Sequence, residues 1–240
     1  MKIHYVHLDS VDSTNNWVKS HLAELSSLTC VTAKEQTAGR GRFKRHWVSP
    51  RSENIYATLY LMAPLGAKYI SNLGQIMAFA CAKVLRGIGF EAELKWPNDI
   101  LIQGRKIAGV LTETVTKEKT IGVIIGIGVN VNMSTASLEA IGVPATSLLQ
   151  LSQKKWDLQE VTELLMNHFL QDLEVLKKSG FAPFQAPFEK LLAYKGQEIT
   201  IHNGTHTIKG ICRSMTKDGR LELLMPSGEI KLLTSGEVGI

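Results

Sequence analysis

Two spacings of apolar residues organise this chain, one of every second position and one of every third or fourth. Ile3 to Leu8 reads as a short strand. Asp12-Ser13-Thr14 then marks a helix start, because short oxygen-bearing side chains satisfy free backbone N–H groups there. Trp17, Val18, Leu22 and Leu25 supply that helix's apolar stripe. Val31 to Gln36 reads as a strand, and Asn54 to Ala63 as another, with Ile55, Ala57, Leu59 and Leu61 in alternation. From Ile70 through Leu73, Ile76, Met77, Ala80, Cys81, Val84 and Leu85 to Ile88 the period becomes helical, and Gly87 and Gly89 suit its end. Strands are predicted at Glu91 to Trp96, Lys106 to Glu113 and Ile121 to Asn132. A second strong helix spans Leu158 to Lys177, with Asp157 and Glu160 as its cap and Gly180 as its stop.

After Ala193 the texture changes. Asn203-Gly204, Asp218-Gly219 and Ser227-Gly228 separate short β-like runs, and such dipeptides supply the positive φ of tight hairpin turns. This spacing predicts a small antiparallel barrel. The segment from Phe181 to Ala193, with Pro183 and Pro187, reads as the boundary. The expected organisation is therefore a mixed α+β domain over 1–192 and a β module over 193–240.

Composition narrows the classes. At 240 residues with 44% hydrophobic content the chain is too apolar for disorder. Its longest nearly uncharged apolar stretch, Ile121 to Val131, is about half a membrane span. MKIHYVHLDS carries no apolar signal core, so the cytosol is the expected location. Cys30, Cys81 and Cys212 are far apart and read as reduced, buried thiols. The net charge is only +5, but Arg40, Arg42, Lys44, Arg45 and Arg51 fall together with no acid among them, which implies an anionic partner.

That cluster lies in Gly39-Arg40-Gly41-Arg42-Phe43-Lys44-Arg45-His46-Trp47-Val48-Ser49-Pro50. Glycines let the backbone approach a ligand, and arginines present a planar fork to phosphate or carboxylate oxygens. Composition leaves a nucleic-acid contact or a solvated basic loop equally open. The cluster occurs once, between ordered-looking strands, whereas RG tracts repeat. Lys95-Trp96-Pro97-Asn98-Asp99 ends a strand with a lysine and an acid around a bend, or is an ordinary turn with a core tryptophan. Lys106-Ile107-Ala108-Gly109 heads the next strand, where a lone lysine is usually a surface residue. Gly126 and Gly128 fall inside an apolar run, so they are either small residues of a buried strand or room for a ligand beside it. A Walker A loop, a third Rossmann glycine, HExxH, GxSxG and a Cys/His cluster are all missing, and His202 and His206 read as cross-strand neighbours rather than ligands.

Taken in order, these segments resemble the biotin protein ligases. The resemblance rests on Asp12-Ser13-Thr14-Asn15, on Gln36-Thr37-Ala38-Gly39-Arg40-Gly41-Arg42 followed by Arg45, Trp47 and Ser49-Pro50, and on Lys95-Trp96-Pro97-Asn98-Asp99. Lys106 with Ala108-Gly109, and Gly126, Gly128, Asn130 and Asn132, complete it. The resemblance implies an α+β fold: a mixed β-sheet flanked by helices, like a class II synthetase catalytic domain, with an SH3-like C-terminal barrel. It implies that biotin's carboxylate attacks the α-phosphate of MgATP, giving biotinyl-5′-AMP, and that a lysine of a biotin carboxyl carrier protein then takes the biotin. Ser13, Thr14 and Gln36 would bind the ureido ring, and Gly39, Arg40, Lys106, Gly109 and Gly126 would complete the biotin pocket. Arg42, Arg45, Trp47, Lys95, Asn98 and Asn130 would meet the nucleotide. Arg40, Arg42 and Lys106 would be catalytic, and Asp99 would serve Mg²⁺ or the incoming lysine. ATP, Mg²⁺ and biotin are co-substrates on this view, with no prosthetic group, no membrane and no DNA partner. On this view the family's N-terminal helix-turn-helix would have no room before a strand beginning at Ile3, so a repressor function is expected to be absent, and a homodimer through a sheet edge stays open. Phe43-Lys44 stand where many members carry Arg-Gly. The rival readings are a lipoate- or octanoate-transferring relative, and a nucleic-acid-binding module using Arg40 to Arg45.

Overall fold

The computed structural model describes residues 2–203 and 206–239. Seven strands form its large sheet: β1 (His4–Val11), β2 (Thr29–Gln36), β3 (Ile55–Pro64), β4 (Ala92–Lys95), β5 (Asp99–Ile102), β6 (Arg105–Thr116) and β7 (Thr120–Val129). Their order is β1-β2-β3-β7-β6-β5-β4. β1 and β2 run parallel, and every other neighbouring pair is antiparallel. The continuous apolar runs of β3 and β7 follow from burial on both faces. On one face lie α2 (Leu73–Gly87) and α5 (Leu158–Ser179), which pack Ile76, Phe79, Phe169 and Leu173 onto Leu59, Val110 and Ile125. On the other lies α1 (Thr14–Ser20), where Val18 meets Val31, Tyr60 and Ile124. Strand alternation therefore assigns Gly126 and Gly128, neighbours in period of Ile124, to the α1 face.

Several elements depart from the sequence pattern. α1 ends at Ser20, and Leu22 and Leu25 pack onto its cluster from the turns that follow. Ser13 occupies the N-cap without a side-chain cap; instead Gln36, on the neighbouring strand, accepts from the Thr14 N–H at 3.0 Å. Ile70 lies in a 3-10 turn before α2, and Ile88 is that helix's C-cap. β7 stops at Val129 because Asn130 and Asn132 turn to pair with Ile107 and Glu53, and the short helices α3 (Thr135–Glu139) and α4 (Leu148–Ser152) follow before α5. β5 has no signal of its own, because four residues carry too little periodicity.

The boundary expected at 181–193 is folded into the core. Phe181, Phe184 and Phe188 are buried there, around the short helix α6 (Gln185–Lys190). The C-terminal strands are β8 (Glu198–Asn203), β9 (His206–Met215), β10 (Leu221–Leu224), β11 (Ile230–Leu233) and β12 (Glu237–Gly239). They form an antiparallel sheet in the order β11-β10-β9-β8-β12. Its edge strands β11 and β12 are not paired to each other among the described residues, so the anticipated barrel is an open sheet. Gly219 and Gly228 take positive φ in their turns, as predicted. Gly204 of the third turn lies outside the described residues. His202 pairs with Thr207 and His206 with Asn203 across β8 and β9, so the two histidines are offset neighbours. Gly219 anchors this sheet to the large domain, its carbonyl accepting from Gln75 at 2.7 Å and from Trp96 at 3.3 Å. Ile199, Ile201, Leu221 and Leu223 join the main apolar cluster. Among the described residues no helix is long and apolar enough to cross a membrane.

Phe169 is fully buried where α5 meets the core. Phe169→Ala should destabilise the chain by about 3–5 kcal/mol, read as a lower urea midpoint in equilibrium unfolding.

Candidate active site

The glycine–arginine segment is a tight hairpin. Trp47 N–H donates to Gly39 O at 2.9 Å, and Gly41 N–H donates to Arg45 O at 2.8 Å. A Cβ on Gly39 would come within 2.6 Å of Ser49 Oγ, so this position excludes a side chain. Phe43 sits at the tip, exposed, with φ +54°, a conformation that favours glycine. The Arg42 guanidinium lies 5.0 Å from its ring centre.

The arginines of this hairpin reach acceptors far away in sequence. Arg42 donates to Asn98 Oδ1 at 2.9 Å and to Gly236 O at 3.1 Å. Arg45 pairs with Glu237. Arg40 pairs with Glu113 at 2.7 Å. Arg51, by contrast, is tied to Asp9 and Glu35 on the outer strands, away from the others.

Beneath the hairpin, β4 to β6 bring a second group together. Lys95 pairs with Asp99 across β4 and β5, and Asp99 with Gly109 across β5 and β6. The Trp96–Pro97 peptide between them is cis. Lys106 Nζ forms an ion pair with Asp99 Oδ1 at 2.7 Å and lies 5.3 Å from the Trp47 ring centre. A Cβ on Gly109 would crowd that pair at 3.0 to 3.2 Å. The Trp47 indole rests on the backbone of Gly128, where a Cβ would overlap it. Asn98 Nδ2 donates to Val110 O at 2.5 Å and so fixes the oxygen that Arg42 meets.

Burial lowers the proton affinity of the Arg42 guanidinium, and the charges of Asp99 and Glu237 push it back up. Lys95 is lowered in the same way by burial, with Asp99 opposing and Lys106 assisting. Arg42, Lys95 and Lys106 thus surround one carboxylate, Asp99. Among the described residues no group of three or more His, Cys, Asp or Glu side chains could hold a metal.

A third, less charged group lines the α1 side. Gln36 Oε1 accepts from Thr14 N–H and from Thr14 Oγ1 at 3.1 Å, while Gln36 Nε2 donates to Ser49 Oγ at 3.0 Å. Thr58 Oγ1 lies 2.8 Å from Thr14 Oγ1 and 2.7 Å from Asn15 Oδ1. Asn15 Nδ2 donates to Glu113 Oε2 at 2.8 Å, and Lys19 pairs with Glu113 Oε1 at 2.5 Å. A Cβ on Gly126 would overlap the Asn15 amide, so the bare strand face here makes room for that side chain. Burial pushes the Glu113 carboxyl up. The hydrogen bonds from Lys19 and Asn15 and the nearby Arg40 charge outweigh it and hold the group below the usual carboxylate range.

Thr14, Gln36, Gly39, Arg40 and Gly126 therefore meet on one side of the α1 face, with Ser13 buried beside Thr14. Arg42, Trp47, Lys95, Asn98, Asp99, Lys106 and Gly109 meet on the other. Arg45 is at the exposed margin, 64% exposed. Asn130 stands apart, buried, with its Nδ2 donating to Thr146 O at 3.1 Å.

Residues 7–130 match the family described as "Biotin/lipoate A/B protein ligase family". The bifunctional ligase/repressor BirA of Escherichia coli (strain K12) is 32% identical over 97% of this chain and 73% of its own length. The biotin–[acetyl-CoA-carboxylase] ligase of Paracoccus denitrificans is 32% identical over 96% of this chain and 98% of its own. The chain belongs to the biotin/lipoate A/B protein ligase family. A solved structure of the Aquifex aeolicus biotin protein ligase in complex with biotin and ATP superposes with a TM-score of 0.82 at 30% identity, covering 98% of this chain and 97% of that one. In this biotin/lipoate ligase-family chain the matched span holds both polar groups of the α1 face. The exceptions are Gly236 and Glu237, which the C-terminal sheet lends to the hairpin arginines. Sequence reasoning missed those two, and also Lys19, Thr58 and Glu113. Alternation offered the one available signal, since Gly109, Leu111 and Glu113 share a strand face.

Because the folded pKa of Glu113 lies below its ordinary 4.5, its stabilising contribution is complete above that value and is lost as pH falls through the lowered one. As pH falls from above 4.5 through that lowered value, the unfolding temperature of the wild type should therefore fall more steeply than that of Glu113→Gln. Parallel curves by circular dichroism would contradict this.

Proposed function

We propose that this chain is a biotin protein ligase that activates biotin with MgATP and passes it to a carrier-protein lysine. The observation that carries the reading is the convergence of Arg42, Lys95 and Lys106 on Asp99, beside the neutral hydrogen-bonding group of Thr14, Gln36 and Thr58. One half suits a carboxylate meeting a triphosphate, and the other suits a ring of amide-like donors and acceptors. The named ligands of the Aquifex aeolicus structure, biotin and ATP, carry the same two chemistries.

In the first step a carboxylate oxygen of biotin forms a bond to the α-phosphorus, and the bond from that phosphorus to pyrophosphate breaks. Both reactants are anions, so repulsion dominates the barrier, and fixed cations placed where charge gathers lower it. Arg40 and Lys106 serve the biotin carboxylate. Arg42, with Lys95 and Asn98 behind it, serves the phosphates, and Arg45 serves them from the margin. Trp47, packed on Gly128, gives the adenylate an aromatic wall, and Asn130, just past the end of β7, is assigned to the adenine. Ser13, Thr14 and Gln36 bind the ureido group, and Gly39, Gly109 and Gly126 keep the floor clear. A ring lacking the ureido would leave these buried polar groups unpaired, which is a strong source of selectivity.

A Mg²⁺ ion carried by the nucleotide would neutralise phosphate charge, and it would need only one or two carboxylates besides phosphate oxygens and water. Asp99 would be the carboxylate within the cationic group available to it. In the second step the carrier lysine nitrogen attacks the acyl carbon, AMP leaves, and the amine's proton must be taken up; Asp99 would serve either this proton or the ion, and its pairing with Lys106 favours the ionised carboxylate that both tasks start from. On this reading residues 1–192 carry the chemistry, and 193–240 hold the hairpin through Gly236 and Glu237.

Biotin-dependent exchange of labelled pyrophosphate into ATP tests the reading. Exchange driven by lipoate but not biotin would move the chain to the other branch of its family. Arg42→Ala should lower the exchange rate by about 10²-fold with the circular dichroism spectrum unchanged; an unaltered rate would remove Arg42 from the chemistry. Lys106→Ala should weaken biotin binding by about tenfold in titration calorimetry, the usual worth of a lost charge-assisted hydrogen bond. Wild-type affinity would take Lys106 out of the pocket.

A further inference from the structure

We propose that Glu113 is a positioning residue that holds Arg40 and Asn15 at a fixed separation, so that the two ends of one ligand are recognised together; this rests on the biotin reading above. Glu113 stands on β6, a rigid central strand, while the groups it holds come from elsewhere: Arg40 from the hairpin, Asn15 and Lys19 from α1. One carboxylate oxygen, Oε2, accepts from both Arg40 Nη2 at 2.7 Å and Asn15 Nδ2 at 2.8 Å. The other, Oε1, takes Lys19.

Each partner has its remaining capacity turned elsewhere. Among the described residues the Arg40 side chain donates to Glu113 alone, and its buried Nε has no partner. A guanidinium carries five N–H donors in a fixed fork, so anchoring one edge leaves the rest aimed and free for an anion. Asn15, anchored through Nδ2, turns Oδ1 to Thr58, which meets Thr14 and through it Gln36. Glu113 is therefore the junction between the charged and the neutral recognition groups. Without it, the Arg40 guanidinium would have no hydrogen-bond acceptor among the described residues. Lys19 supplies a second positive charge to the carboxylate, so that Glu113 remains ionised beside an arginine whose own charge must stay available to a ligand.

A purely structural role and a positioning role differ in one measurement. If Glu113 acts through Arg40 and Asn15, removing Arg40 must shrink the effect of changing Glu113 to the part that runs through Asn15; independent effects would add. Calorimetric titration of biotin into the full chain, without ATP, should show Glu113→Gln weakening binding by about tenfold in the wild-type background and by about threefold in an Arg40→Ala background. Glu113→Asp, which keeps the charge but retracts it by one methylene, runs the same cycle should the glutamine variant not fold. A cost of equal size in both backgrounds overturns the proposal. So does tighter binding by Glu113→Gln, which would mean that the carboxylate competes with the ligand for Arg40. No biotin binding by the wild type would instead overturn the ligase reading, and this inference with it.

Discussion

Several cations held close together in a half-buried cleft repel one another and lose hydration, and the whole site depends on how that cost is met. Here two carboxylates from adjacent strands meet it. Asp99 faces Arg42, Lys95 and Lys106, while Glu113 faces Arg40 and Lys19. Each acid is outnumbered, so both halves of the site keep net positive character while no cation is left facing only other cations. Glu237, brought by the C-terminal sheet, adds a third acid at the margin through Arg45. An anion entering such a cleft gains more than it would from the same cations spread in water, because their orientation is already fixed.

Room for functional side chains to lie against a sheet face has to be cleared, since strand residues normally fill it. Gly109, Gly126 and Gly128 do this on adjacent strands, each at a place where a Cβ would crowd Lys106, Asn15 or Trp47. Their opposite-face neighbours Ala108, Val110, Ile125 and Ile127 remain buried in the main core. The same strands thus carry a packed face and a stripped one. The packed face supplies the rigidity that lets the stripped face hold geometry.

The C-terminal sheet is coupled to this face rather than appended to the domain. Gly219 receives Gln75 and Trp96, and Gly236 receives Arg42. Trp96 lies between Lys95 and the cis Pro97, so the bend that sets the lysine is also the surface on which the small sheet rests. A shift of that sheet would act on both the hairpin and the β4–β5 bend.

Much of this was legible in the residues. The period-2 run of β3, the helical stripes of α2 and α5 and the turns at Gly219 and Gly228 are consequences of local sterics and of which side chains leave water. The motif spacing around Arg40, Lys95 and Lys106 likewise identified the segments that meet. The tertiary structure decided what no local pattern encodes. It made Gln36 cap the helix of Thr14, left the C-terminal strands as an open sheet, folded Phe181, Phe184 and Phe188 into the core, and gave Arg40 to Glu113 and Arg45 to Glu237. These are pairings between residues 22 to 192 positions apart. A charge in sequence carries no direction; which acid it meets is set by strand order and by the face on which each side chain emerges, and both exist only once the sheet has formed.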